Sequence, residues 1–246
     1  MRKKILFVVE GKKTESQTII NIFKRVMKIS SEEIEVYKYK TNIYSLCDIL
    51  NSGEYDSLID YLRVNAKHLF KDEIKPSDCF SSIYLIFDLD PQDSRFSINK
   101  IQFLVNYFSD ETQDGKIYFN YPMMESLFDF KTLNQRHFNN KTISKIGLNS
   151  DKYKAKVNKS SFVKCNKGCS IKKDEILYKV LNLHINKYFN LINLDRDDNH
   201  YSNQELLLDA EKYYLANNKI SIINSSVLIL NDYNACMIES LMDNRK

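Results

Sequence analysis

Five acids hold positions where their surroundings point to chemistry: Glu10, Glu15, Asp88, Asp90 and Glu125. Glu10 closes the apolar run 5–9 and is followed at once by Gly11, Lys12 and Lys13. Asp88 and Asp90 close a second apolar run, 83–87. A carboxylate at the exit of a central strand is a common way to present charge at a sheet edge. Several such acids at one edge repel one another, and a divalent cation is the simplest relief. Hard oxygen ligands suit Mg²⁺ or Mn²⁺. One or two such ions can hold a phosphodiester, generate hydroxide and steady the leaving oxygen. Lys12 and Lys13 are placed to touch a substrate phosphate. Asp93 is a reserve acid, more simply read as a turn residue. Each of the five also has an ordinary reading, as a solvated acid or one serving a helix N-terminus. Their shared context favours the chemical one.

The elements that must position these acids follow from periodicity. The run 5–9 reads as a buried strand. Thr14 and Gln17 resemble a capping box, and Ile19, Ile20, Phe23, Val26 and Met27 continue at helical spacing. Glu15 falls in that helix's first turn, where the dipole favours an anion. A second strand is expected over 34–39, helices over 43–50 and 55–70, and a third strand over 83–87. Pro91 disfavours helical geometry at Asp90. Asp88 and Asp90 are therefore expected on an extended segment, their side chains aimed the same way. A helix over 98–108, a strand over 117–120 and a helix over 123–130 follow, with Glu125 in the first turn of the last. Strand and helix repeated four times predict an α/β fold with an open, mostly parallel sheet.

Beyond these, residues 134–173 read as a mobile loop or basic insertion without apolar periodicity. Helices are expected around residues 177–191 and 205–215. A closing helix would carry Met237, Ile238, Leu241 and Met242, either core-facing or a homodimer seam. Between residues 131 and 173 there are eleven Lys, one Arg and a single acid, Asp151, so a net charge of +4 conceals a segment near +11. That asymmetry suits a polyanion held by its phosphates. Lys141, Lys145, Lys152, Lys154 and Lys156 are the candidate contacts. No apolar run is long enough to span a membrane, and no signal peptide is apparent. Five cysteines without paired spacing fit a reducing cytoplasm. Cys165, Cys169, His184 and His200 make at best half a zinc site.

The segments Val9-Glu10-Gly11-Lys12-Lys13-Thr14-Glu15, Phe87-Asp88-Leu89-Asp90 and Tyr121-Pro122-Met123-Met124-Glu125-Ser126 together resemble the Toprim domain. The likeness is greatest to the overcoming-lysogenization-defect and RloB-like nucleases of bacterial abortive infection and phage defence. It covers roughly residues 4–130, with Tyr121 standing where the RloB-like segment has Asn. It implies a Toprim (Rossmann-like) core over 1–130, with about four mostly parallel strands, and a basic insertion and helical C-terminal region over 131–246 packed on it. It further implies a divalent-metal-dependent nuclease acting on DNA or RNA, tRNA among the candidates, in antiviral defence. Glu10, Asp88 and Asp90 would be the principal ligands of Mg²⁺ or Mn²⁺, with Glu15 and Glu125 accessory. A lysine from beyond the core would join them, Lys141 or Lys145 being possible equivalents. There is no phosphate-binding Gly-x-x-x-x-Gly-Lys loop, so any nucleotide control would come from a separate ATPase subunit.

Other readings remain. A non-cleaving module that binds nucleic acid or a partner would use the same fold. A small-molecule phosphatase would act on nucleotides and ignore polymers. Haloacid-dehalogenase phosphatases place their Asp-x-Asp after the first strand, and receiver domains need paired acids there; a single Glu10 disfavours both.

Overall fold

The computed structural model describes residues 4–10, 13–39, 41–69, 79–148, 150–165, 171, 173–194 and 203–234. The chain divides into two compact units: residues 1–87 with 97–118, and residues 88–96 with 119–246.

The first unit is a layered α/β structure. In chain order it runs β1 (Lys4–Glu10), α1 (Lys13–Met27), β2 (Ile34–Tyr39), α2 (Ile43–Asn51), α3 (Leu58–Leu69), β3 (Phe80–Asp88), α4 (Ile98–Tyr107), β4 (Ser109–Asp110) and β5 (Gly115–Tyr121). The sheet order is β2-β1-β3-β5-β4. β1 pairs in parallel with both β2 and β3. Its central residues Leu6, Phe7, Val8 and Val9 are all buried, as are Ile83–Phe87 of β3. Such continuous burial is what a strand covered on both faces requires. Ile19, Ile20, Phe23, Val26 and Met27 of α1 are buried at the expected spacing, and Phe7 stacks on Phe23 at 5.6 Å. Gly115 adopts φ +112°, and a Cβ there would lie 2.7 Å from Leu85 Cδ1. Only glycine lets β5 start so close to β3.

The α/β class and the mostly parallel sheet agree with the sequence. The sheet is not purely parallel, because β4 turns back antiparallel onto β5. A two-residue strand is too short to leave an alternation pattern.

The second unit contains a 3-10 helix (Met124–Phe128), α5 (Gln135–Asn139), β6 (Thr142–Ser144), a 3-10 helix (Lys145–Leu148), α6 (Ser150–Asn158), α7 (Ser161–Cys165) and α8 (Asp174–Ile192). It continues with α9 (Gln204–Ala216), β7 (Lys219–Ser221), β8 (Ile223–Asn224), a 3-10 helix (Ser225–Leu228) and α10 (Ile229–Tyr233). β8 pairs antiparallel with the end of β5 through Asn120 and Tyr121, and β6 pairs antiparallel with β7. α8 is the core element, burying Leu177, Val180, Leu181, Ile185 and Tyr188. It packs on α5, α9 and the 3-10 helix after β8.

Two expectations are corrected here. Residues 134–173 are not featureless: the described ones form short elements, all but β6 tied down by one or two buried apolar residues, among them Phe138, Leu148, Tyr153, Val157 and Val163. Elements of three to nine residues are too short to show a helical period. The helix expected over 123–130 is a 3-10 helix of five residues. All of residues 121–130 are buried, so there is no polar face to pattern a longer amphipathic helix.

Candidate functional site

The second unit gathers Asp88, Asp90 and Glu125 with two side chains that sequence reasoning missed. Asp88 ends β3 and its Oδ1 accepts a hydrogen bond from Asn120 Nδ2 at 2.8 Å. Beyond it the Leu89 N–H donates to the Asn120 carbonyl and the Asp90 N–H to the Pro122 carbonyl, each at 3.1 Å. These bonds lay the segment after β3 along the end of β5.

Asp90 has φ +39°. This corrects the expected extended geometry at Asp90. Pro91 disfavours the right-handed helical region for its predecessor, but leaves the left-handed one, which aspartate tolerates better than most residues. A turn fixes Asp90 there, since the Asp93 N–H donates to its carbonyl at 2.9 Å. Gln92 Nε2 donates to Asp90 Oδ1 at 2.9 Å. Asp93 is bound up with Arg95, which donates to it from Nε, Nη2 and its backbone N–H. That matches its reading as a turn residue.

Glu125 lies in the first turn of its 3-10 helix and is only 5 % exposed. Its Oε1 is 3.1 Å from Lys154 Nζ, on α6. Burial raises the Asp90 carboxyl above the ordinary range; Asp93 and Glu125 push it further up, while Gln92 and Lys154 pull it down. Asp90, Glu125 and Lys154 thus share one electrostatic neighbourhood.

The missed residues are Asp129 and Tyr153. Asp129 is 5 % exposed and forms an ion pair at 2.7 Å with Lys141, whose ammonium also donates to the Asp129 carbonyl. The Tyr153 hydroxyl donates to Asp129 Oδ2 at 3.2 Å. Burial raises the Tyr153 phenol far above its usual range, and Asp129, Glu125 and Asp88 add to the rise. Tyr153 therefore stays a protonated donor and lies within the field of two of the expected acids. Burial lowers the Lys141 ammonium, with Asp129 opposing the shift. Behind it, the buried Lys187 donates to the carbonyls of Phe138 and Lys141 at 3.0 and 2.5 Å. A relay thus runs from Lys187 through Lys141 and Asp129 to Tyr153, the residue before Lys154. A signal was available in the sequence: Asp129 is the single acid in the apolar run 127–130. Lys141 and Asp129 also line a cleft of about 190 Å³ with Lys131, Thr132 and His137.

The remaining expected residues are placed as follows. Glu10 is half-buried at the end of β1 in the first unit, one residue past Val9, whose partner on β3 is Ile86. Glu15 is in the first turn of α1 and Lys13 begins that helix; their side chains, those of Thr14 and Gln17, and Lys12 lie outside the described residues. Lys145 sits over the Phe96 ring, 5.2 Å from its centroid. Lys152 and Lys156 are exposed on α6. His184 is fully buried, with Nδ1 accepting the Asn224 N–H at 3.0 Å. It is a core histidine, and burial and Lys187 hold its imidazole down to about 3. The side chain of Cys165, and Cys169, His200 and the expected closing helix with Met237, Ile238, Leu241 and Met242, lie outside the described residues.

The donor chemistry of Asp88, Asp90 and Glu125 suits a hard cation. Their arrangement does not: among the described residues no three His, Cys, Asp or Glu side chains are grouped to hold a metal ion. Asn120 occupies one oxygen of Asp88, Gln92 one of Asp90 and Lys154 one of Glu125. No helix among the described residues is long and apolar enough to cross a membrane. Comparison with protein-family models, with characterised proteins and with solved structures gave no match for this chain.

Proposed function

We propose that the chain is a nuclease of Toprim type, hydrolysing phosphodiester bonds of DNA or RNA with Mg²⁺ or Mn²⁺, in the defence of a bacterial cell against phage. The observation that carries this reading is the meeting of Asp90 and Glu125, from separate stretches of sequence, around one lysine, Lys154. Neighbouring carboxylates that are buried or half-buried are costly unless a cation or a proton relieves them. The basic segment 131–173 supplies the complementary surface for a phosphate backbone.

In this reading the chain's own residues divide the work. Asn120 and Gln92 hold the carboxylates of Asp88 and Asp90 in fixed orientation. Lys154, partly exposed, meets a substrate phosphate, and exposed Lys152 and Lys156 extend the same helix toward the strand. Asp129 and Tyr153 keep α6 in place. A bound divalent ion would supply Lewis acidity and an activated water. Because the acids as arranged do not form its ligand cage, no step is assigned to it.

The lack of a metal-ligand grouping among the described acids favours one rival, a Toprim-like module that binds nucleic acid without cutting it. Incubating the purified protein with plasmid, single-stranded DNA, tRNA and total RNA, in Mn²⁺ or in EDTA, separates the two. The nuclease reading expects Mn²⁺-dependent products from at least one polymer. Binding to the same polymers with no products in Mn²⁺ would favour the module.

A further inference from the structure

The cleft of about 190 Å³ in the second unit is built from cations and donors over an apolar floor. Phe130 and Phe138 form that floor: each is 2 % exposed, and their ring centroids are 4.7 Å apart. Lys131, Thr132 and His137 are exposed and form the mouth, with Lys141 partly buried beside them. Each of these four side chains offers an N–H or O–H donor. Among the described residues, the side chains of Lys131, Thr132 and His137 have no hydrogen-bond or ion-pair partner. Lys141 spends two of its three N–H donors on Asp129, one on Oδ1 and one on the backbone carbonyl. Asp129 is the one carboxylate in the lining, and both its oxygens are engaged, Oδ1 by Lys141 and Oδ2 by Tyr153. Burial lowers the Lys141 ammonium, and Lys156 and Lys131 lower it further against the pull of Asp129. Three ammoniums thus answer to a single carboxylate, and the missing negative charge has to come from outside the chain. A water's share of liquid volume is about 30 Å³, so the cleft has room for one phosphate and its nearest carbons. An internal phosphodiester carries one charge and needs a way out for the chain on both sides. A phosphate monoester carries about −1.5 to −2 at pH 7 with three acceptor oxygens, and needs only one way in. The closed floor, the surplus of positive charge and the spare donors all match the monoester.

We propose that this cleft binds a phosphate monoester, the phosphorylated end of a nucleic-acid strand whose backbone runs over Lys152 and Lys156 of α6. The inference rests on the nuclease reading for its polymer, but it concerns binding and requires no cleavage. A seated end would fix the register of the strand on the protein. Fluorescence anisotropy on the full chain, in EDTA and at fixed salt, compares oligonucleotides with phosphate or hydroxyl at the 5′ end, and likewise at the 3′ end, each labelled at the opposite end. One phosphorylated end should bind at least about tenfold more tightly than its hydroxyl counterpart. Lys131→Gln and Thr132→Val, both at exposed positions, should each cut that ratio by about threefold or more, and the double variant should bring it near one. Lys152→Gln removes a charge elsewhere on the basic segment, and should lower both affinities alike and leave the ratio intact. Calorimetric titration with adenosine monophosphate against adenosine tests a free nucleotide as the source. Monophosphate binding that is lost in the double variant, with no preference at either strand end, would overturn the strand end and give the cleft to a free nucleotide. No preference for phosphate in either arm, or a preference untouched in the double variant, would overturn the proposal entirely. A preference for a phosphorylated end without Mn²⁺-dependent products from any polymer would count against the nuclease reading alone.

Discussion

The Tyr153 hydroxyl donates to Asp129 Oδ2 at 3.2 Å, and Tyr153 immediately precedes Lys154 on α6. This one bond ties the helix that carries the lysine to the segment just after Glu125. Asp129 in turn is held by Lys141, and Lys141 by Lys187. The position of Lys154 beside Glu125 therefore depends also on Tyr153, Asp129, Lys141 and Lys187.

Tyr153→Phe removes the bond and keeps the ring, which is 1 % exposed. It should cost about 1 kcal/mol of stability, read as a lower urea midpoint at unchanged slope. If cleavage depends on Lys154, the turnover of this variant should fall by more than its stability explains at a temperature where it is fully folded.

Asp129→Asn leaves the Lys141 ammonium partly buried with no counter-charge. Breaking such a pair from one side should cost roughly 3 kcal/mol. Replacing both partners, Asp129→Leu with Lys141→Met, should recover most of that loss. Denaturation of the two single variants and the double variant measures the coupling.

Glu211 gives a pH dependence of defined sign. It is fully buried on α9, and burial raises its carboxyl from 4.5 to about 7, with Ser221 and Lys187 opposing. Between these two values the folded chain keeps a proton that the unfolded chain has released. Wild type therefore loses stability as pH rises through that window, by at most about 1.4 kcal/mol per pH unit from this group. Glu211→Gln cannot ionise, so its melting temperature relative to wild type should climb from pH 4.5 to 7.

Gly115→Ala should destabilise the first unit by about 2 kcal/mol or more. The added Cβ meets Leu85 and Ile83 in β3, and φ +112° is strained for any other residue. Thermal unfolding by circular dichroism reads the effect.

What the sequence made legible follows from length and context. Strands β1 and β3 are continuous apolar runs ending in acids, and β2, α2, α4, α8 and α9 carry enough residues to show a period or a bounded run. The strand at residues 117–120 is the core of β5. β4, β7 and β8 have two or three residues each, and no periodicity exists at that length. The sequence marks Asp129 as a lone acid in an apolar run, but its partners Lys141 and Tyr153, 12 and 24 residues away, are set by the fold. Asp90 misled because proline restricts its predecessor without choosing among the conformations that remain. Glu125 was correctly placed at the start of a helical turn, but nothing in the sequence paired it with Lys154. That partner is set by where α6 packs, a tertiary fact.

The most direct measurement of the central claim is single-turnover cleavage, in Mn²⁺, of whichever polymer the wild type cuts, comparing Asp90→Asn and Glu125→Gln with Asp93→Asn. The account predicts at least a hundredfold loss (about 2.7 kcal/mol of activation free energy) for the first two, with oligonucleotide binding retained. It predicts near-wild-type rates for Asp93→Asn, whose carboxylate is engaged by Arg95. Wild-type cleavage by Asp90→Asn and Glu125→Gln would contradict it, and the acids gathered around Lys154 would then be structural.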